Sequence, residues 1–418
     1  GSVSLRAMPS CTAFSRLAAG AFLLTALQSF SIAQTPWEDI LQQAEGQSVY
    51  FHAWGGDVAL NDHLQWVAAQ LREKFDIDLQ HIKLADTTHA VTRLIAEAEA
   101  GNTTRGSADL LWINGENFSD LKTRSLLFGP WAESLPNFEL VDADERPQMR
   151  QDFGVATEGF ESPWTRSQLI FYHDSVRLPE PPRTVAELLR WAGENPGEFT
   201  YPKPPSFLGT TFLKQALIEL TADSLGDSGL ALLTQPPQNN FAEVSEPLWR
   251  FLDALHPSLL RAGRHFPTNG AQLRAALNDR ELSLAFAFNP NEVASAVARG
   301  DLAATTRSYV FDQGTLSNVS FVAIPFNAPN KAAARVAANF LLEPQVQFTA
   351  AVNPRLASQP VITFEKFTKP QQRRLSAQAQ APGSVGPEEL ERTLTEPHPQ
   401  WTLELEREWL ARYGGGRR

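Results

Sequence analysis

The chain has 418 residues, 43% hydrophobic and 20% charged, a globular balance that excludes a disordered polymer and leaves room for more than one core. A formal charge of −11 at pH 7 excludes a nucleic-acid binder that works through an overall basic face. The single cysteine excludes a disulfide framework.

The first 33 residues differ from the rest. Arg6 and Arg16 flank a short apolar run from Leu17 to Leu27, and Ser31-Ile32-Ala33 places small residues where a signal peptidase reads. This predicts a secretory signal peptide over 1–33, cut between Ala33 and Gln34. The rival reading, a membrane anchor, needs about 18 apolar residues or more. Cys11 lies inside this segment with no apolar run before it, so it is not a lipoprotein cysteine. The mature chain then has no thiol and no Cys-ligated metal. An exported, acidic, periplasmic protein is expected.

Trp37 to Gln43 reads as a helix ended by Gly46, and Val49 to Trp54 as a strand stopped by Gly55-Gly56. Asp57 is placed to cap a helix from Ala59 to Phe75, with Leu60, Leu64, Val67 and Leu71 on one face. A strand, a glycine turn and a helix start aim backbone N–H groups and a positive helix end at whatever lies above the strand. Trp54 adds a flat face there; a plain tight turn is the alternative. Ile77 to Leu84 is a second strand. Thr87 or Thr88 opens a helix from Ala90 to Ala100, and Asp109 to Ile113 is a third strand running into Asn114-Gly115-Glu116-Asn117. Alternating strands and helices predict a parallel sheet covered on both faces. Ligands bind such sheets beyond the carboxyl ends of the strands. Glu116 is either a partner for a cationic ligand or a solvated carboxylate.

Phe153 to Phe160 and Trp164 to Gln168 lead into an apolar strand, Leu169-Ile170-Phe171-Tyr172. A stiff connection follows (Pro179, Pro181, Pro182), and then Thr184 with Glu187, an S/T-x-x-E helix start. The stretch Glu161 to Trp191, with SADLLWINGENF before it and FTYPKPPSFLGTTFLKQAL after it, resembles the bacterial extracellular solute-binding proteins, and within them a subfamily linked to thiamine-like solutes. That resemblance implies an α/β, two-lobe periplasmic-binding-protein (type II) fold with a hinge and an interlobe ligand cleft. Lobe 1 would hold 34–168 and 320–350, and lobe 2 would hold 169–319 and 351–418. The crossing strand Ser167 to His173 would be the hinge. Arg166 is then an interlobe ion-pair partner or a clamp for a ligand anion.

Beyond the crossing, Phe199 to Tyr201 reads as a strand end. Ser206 to Thr211 opens a helix, where Gly209, Thr210 and Thr211 are expected either to touch ligand or merely to start the helix. Gly226-Asp227-Ser228-Gly229 resembles a serine-protease loop, but no His and Asp stand in the order such a fold requires. Asn269-Gly270 starts a further helix. Glu281 to Phe288 is a strand ending at Asn289-Pro290-Asn291-Glu292, and Val319 to Pro325 is the return crossing. Asp312-Gln313-Gly314-Thr315 turns before it, and Ala332 to Leu342 is a helix broken at Glu343-Pro344.

The eight histidines show no zinc spacing, and neither a phosphate-loop motif nor a nucleophile–base set is present. Ferric-ion members of the resembling superfamily rely on a tyrosine pair, and the five tyrosines here include no adjacent pair, so that resemblance does not imply iron. No cofactor, no metal and no enzymatic activity are expected. The strand-tip residues Trp54, Gly55, Gly56, Asp57, Asn114, Gly115, Glu116, Asn117, Trp164, Thr165, Gly209, Thr210, Thr211, Asn289, Asn291 and Glu292 are the candidate ligand set. Their mix of aromatics, amides and hydroxyls suits a small organic solute. A thiamine-like cation fits Trp54, Trp112, Trp164, Asp57 and Glu116, with Trp112 read more readily as core; a phosphate or sulfonate fits the glycine and threonine helix starts. The resemblance implies a monomer that delivers solute to the permease and ATPase of an ABC importer, with no nucleic-acid partner. The alternatives are a sensory subunit reporting to a signalling receptor, or a secreted hydrolase.

Overall fold

The computed structural model describes residues 35–415; the signal-peptide reading and the last residues of the polar tail lie outside them. Among the described residues no helix is long and apolar enough to cross a membrane.

In chain order the elements begin α1 Trp37–Ala44, β1 Ser48–Trp54, α2 Val58–Phe75, β2 Asp78–Leu84, α3 Thr88–Glu99, β3 Leu110–Ile113 and α4 Glu116–Thr123. Next come β4 Gln151–Asp152, β5 Val155–Ala156, β6 Glu161–Gln168, β7 Ile170–Asp174, α5 Val185–Glu194, α6 Phe207–Leu233, α7 Phe241–Leu255 and α8 Gly270–Asn278. The remainder are β8 Leu284–Ala287, α9 Glu292–Arg299, β9 Thr306–Tyr309, β10 Thr315–Ala323, α10 Lys331–Leu341, α11 Pro344–Val352, α12 Lys369–Ala379, α13 Pro387–Leu390, β11 Thr393–Thr395 and α14 Pro399–Tyr413.

Several local signals act as their chemistry dictates. Asp57 Oδ1 accepts from Ala59 N at 2.8 Å and Leu60 N at 3.4 Å, which fixes the start of α2. Thr184 Oγ1 accepts from Glu187 N at 3.1 Å. The Glu187 carboxylate, however, takes Arg183 N at 2.8 Å, one residue before the donor a capping box uses. Asn269 Oδ1 caps α8 through Gln272 N at 3.0 Å. At α3 the cap position is Thr87, whose side chain makes no capping bond; Asp86 Oδ1 takes Thr88 N at 2.8 Å instead.

Two sheets carry the fold. The larger runs β11-β10-β3-β1-β2, with β6 on β10; the smaller runs β8-β7-β9. Strands β1, β2 and β3 are mutually parallel, as the strand–helix alternation predicts. β10 runs antiparallel to both β3 and β6, and the smaller sheet is wholly antiparallel. The sheet is therefore mixed, because crossing strands enter it from the other half. β3 shows why LLWI is apolar throughout. Leu110 packs in one cluster with Val49, Phe51 and Leu64, whereas Leu111 and Ile113 pack in another with Leu94 and Phe118. Alternate side chains point to opposite faces, and both faces are covered.

A separate core forms around the smaller sheet from Phe171, Phe212, Trp249, Phe286, Phe311 and Trp401. Phe171 and Phe311 stack with ring centroids 3.9 Å apart. The crossings lie side by side: β6 ends at Gln168 in the larger sheet and β7 begins at Ile170 in the smaller. Between them Leu169 N donates to Leu316 O at 2.8 Å, and Thr315 Oγ1 donates to Leu169 O at 2.5 Å.

Three local readings need correction. The third strand runs into a helix rather than a free strand tip, since α4 starts at Glu116 directly after β3. Phe199–Tyr201 forms no strand; it is buried irregular backbone tied by Leu260 N to Phe199 O at 2.9 Å. Helix α6 continues to Leu233 across a break at Gly226, φ 63°, and Ser228 lies inside it with its hydroxyl on Leu225 O. Further along, Val361, Ile362 and Phe367 pack with the β1 core, whereas Val385, Trp401 and Trp409 pack with the smaller sheet.

Candidate functional site

Beyond the carboxyl end of β1, a cavity of about 200 Å³ is lined by Trp54, Asp57, Trp112, Trp164, Arg166 and Asn289, among others. It draws on both sheets: β1, β3 and β6 belong to the larger, and Asn289 follows β8 of the smaller.

Three tryptophans form its aromatic wall. Trp54 meets Trp112 at 6.4 Å between centroids, and Trp112 meets Trp164 at 5.2 Å, both edge to face, the arrangement that ring quadrupoles favour. Trp54 is 39% exposed and Trp164 only 5%, so the wall runs from solvent into the interior. Trp112 is half-buried: it packs against the core around β1 and also lines the cavity. Gly56 is required here: a Cβ on it would stand 2.3 Å from the Trp54 ring. Gly55 holds the turn, with its N on Leu84 O and its O accepting from Asn61 Nδ2, both at 2.9 Å.

The polar groups follow from the strands. Thr165 Oγ1 shares a hydrogen bond with Ser358 Oγ at 2.6 Å. Asn114 reaches the wall through Ser320, whose Oγ accepts from Asn114 Nδ2 at 3.3 Å, while Asn114 Oδ1 stays buried without a partner. Asn289 Oδ1 accepts from Asn291 N at 2.9 Å. Asp57 uses only Oδ1 for the α2 cap.

Arg166 makes no ion pair among the described residues. Its Nε donates to Pro360 O at 2.7 Å, and no carboxylate lies within 4.0 Å of its guanidinium among the described residues. Burial lowers its pKa to about 9, with the nearby charge of Arg146 adding to the effect; it remains cationic at neutral pH. The cavity thus holds a guanidinium that no carboxylate among the described residues contacts, with the Asp57 carboxylate elsewhere on its lining.

The other candidates lie elsewhere. Gly115, at φ 58°, donates its N–H to Asp152 Oδ1 at 2.7 Å. Glu116 is exposed and Asn117 half-buried in the first turn of α4; neither lines the cavity. Gly209 sits tight against the 202–204 backbone, where a Cβ would be 2.3 Å from Pro202 O. Both threonine hydroxyls beside it are engaged: Thr210 Oγ1 donates to Glu406 at 2.9 Å, and Thr211 Oγ1 to Phe207 O at 2.7 Å. Asn291 Nδ2 donates to Ala357 O at 2.9 Å, and Glu292 pairs with Arg274 at 2.9 Å.

Sequence reasoning missed His63, Ser320, Gln347, Ser358 and Gln359, all of which line the cavity. His63 sits on the buried α2 face with Leu60 and Leu64, and burial pulls its pKa down to about 4, so it is neutral. Its spacing on that face was a usable signal; the segment 347–359 offered none. Among the described residues no group of three or more His, Cys, Asp or Glu is placed to hold a metal.

Two α/β halves, joined by adjacent crossing strands and meeting at a cavity beyond the strand tips, define a periplasmic-binding-protein fold of type II. Residues 66–361 match the family of bacterial extracellular solute-binding proteins. Protein YnjB of Escherichia coli strain K12 is 44% identical over 395 residues, 94% of this chain and 98% of that protein. The chain belongs to the bacterial extracellular solute-binding family. Among solved structures, a putative extracellular solute-binding protein from Bordetella parapertussis superposes with TM-score 0.64 at 12% identity, over 88% of this chain and 99% of that one. The periplasmic binding protein AfuA from Actinobacillus pleuropneumoniae, with fructose-6-phosphate bound, gives TM-score 0.56 at 15% identity, over 88% and 99%. The ferric ion-binding protein A of Pasteurella haemolytica, in its apo form, gives 0.59 at 14%, over 89% and 99%. At these identities the three share its fold.

Proposed function

We propose that the protein is the periplasmic receptor of an ABC importer, acting as a monomer, and that it takes a flat ring bearing an anionic substituent. One half takes 35–168 with the return segment, which runs past the expected 320–350 to Val361, Ile362 and Phe367; the other takes 169–319 with the segments around Val385, Trp401 and Trp409. The reading rests on one observation: a cationic Arg166, which no carboxylate among the described residues contacts, lines the same cavity as Trp54, Trp112 and Trp164. The indoles offer faces and edges to a ring, and the guanidinium offers paired donors to a phosphate or carboxylate. A phosphorylated thiamine-like heterocycle would meet both charges, with its cationic ring near Asp57 and the Trp faces. Fructose-6-phosphate in AfuA is likewise a phosphate ester. No bond is made or broken. Contacts to both halves favour the closed form, which the permease then recognises.

The test is a thermal-shift series with thiamine, thiamine monophosphate, pyridoxal 5′-phosphate and fructose 6-phosphate, alongside mass spectrometry of solute released from natively purified protein. A ring phosphate at about 100 times its Kd adds about 2.7 kcal/mol of stability by linkage. Stabilisation by the phosphorylated rings and not by thiamine supports the reading. No shift with any of the four, and no ring-bearing anion among the released solutes, overturns it.

A further inference from the structure

A second cavity, of about 430 Å³, is also lined by Arg166. Its walls are largely apolar: Ile362, Phe364, Phe367, Leu375, Val385 and Leu390. Ile362, Phe367 and Val385 are buried, and Phe364 stands 48% exposed. Helix α12 and the segment leading into α13 supply one wall, and residues 351–367 the other. The first cavity shares three residues with it, Arg166, Ser358 and Gln359. Gln359 is 6% exposed and its Oε1 has no hydrogen-bond partner.

A cavity of about 150 Å³ lined by aliphatic side chains holds a benzene; this one is nearly three times larger and carries one cation at its boundary. An apolar wall favours an alkyl or aryl body. An arginine that no carboxylate among the described residues contacts favours a carboxylate head. A cationic or zwitterionic amphiphile would set a second positive charge against it.

We infer that this second cavity binds an apolar carboxylate, with its chain between α12 and residues 362–367 and its head on the Arg166 guanidinium. The inference rests in part on the proposed function, since both ligands use one guanidinium. The two sites then exclude each other, and by linkage each ligand weakens the other by the same factor. An apolar acid would thereby act as an inhibitor of solute loading.

The probe is decanoate, measured by titration calorimetry on the full chain, with decyltrimethylammonium as the charge-reversed control. Decanoate should bind once per chain and the ammonium should not bind. Ala379→Trp fills the cavity from α12 without touching the first cavity; it should abolish decanoate binding and leave the shift with thiamine monophosphate unchanged. Arg166→Met should weaken decanoate about tenfold or more. Equal affinity for both amphiphiles, or unaltered decanoate binding in both variants, or no binding at all, overturns the inference. If Ala379→Trp fails to fold, Leu375→Trp tests the same filling. Decanoate binding without any ring-phosphate binding leaves this site standing and removes the proposed solute; the converse removes this site alone.

Discussion

The ion pair between Lys214 and Glu396 is the most deeply buried among the described residues. Lys214 Nζ lies 2.6 Å from Glu396 Oε2, with side-chain exposures of 3% and 1%. Lys214 belongs to α6, against the smaller sheet; Glu396 directly follows β11, on the larger. Lys214 Nζ also stands 5.1 Å from the Phe153 ring centroid, and Asn318 Nδ2 donates to Glu396 Oε1 at 3.4 Å. At an effective dielectric of about 20, charges this close attract by about 6 kcal/mol. Removing both ions from water costs several kcal/mol each. The net worth of the pair is therefore small, while the cost of orphaning one partner is large. Glu396→Gln should destabilise the protein by about 3–5 kcal/mol, because the ammonium stays buried without its counter-charge. Lys214→Met with Glu396→Leu should return to within about 1–2 kcal/mol of the parent. Urea unfolding followed by both tryptophan fluorescence and far-UV circular dichroism measures this, with coincident transitions checking two-state behaviour. A double variant as unstable as Glu396→Gln would refute the reasoning, since the loss would then be one of packing rather than of charge.

Trp54→Ala should weaken ring-phosphate binding by about 1–2 kcal/mol, roughly tenfold, with little change in the unfolding midpoint because this ring is partly exposed; calorimetry reads both. Thr184→Ala should lower stability by about 1 kcal/mol through loss of the α5 cap, seen as a lower urea midpoint with an unchanged m-value. Burial pushes the Asp152 carboxyl up to about 7, and burial together with Asp152 pushes Glu161 well above its ordinary value; Glu116 and Glu396 add repulsion at Asp152, and Lys122 opposes it at Glu161. The folded chain thus keeps protons that the unfolded chain has released between about pH 4 and 7. Stability from these groups is full below that window and falls as pH rises through it. Glu161→Gln should flatten that slope in urea midpoints taken from pH 4 to 7; a slope parallel to the parent's would contradict the assignment.

The sequence by itself determined what depends on neighbours along the chain. Asp57, Thr184 and Asn269 cap where their spacing to the next N–H groups dictates. The apolar run after Gln168 becomes a buried strand, and the glycines after Trp54 turn beneath its ring. The alternation in β3 is legible once both faces are known to be covered. Tertiary structure alone decided which strand tips meet. Gly209 and Thr210 look like a ligand-facing helix start, yet the 202–204 backbone presses on the glycine, and α14, nearly 200 residues further along, supplies the carboxylate that takes the Thr210 hydroxyl. Arg166 read as an ion-pair partner or an anion clamp, and only the packing of residues 357–360 against β6 leaves it facing a cavity with no carboxylate in contact among the described residues. Capping and strand alternation act over a few residues, so composition and spacing encode them. The distance between two loop tips is set by every segment packed beneath them, and no local pattern carries that sum.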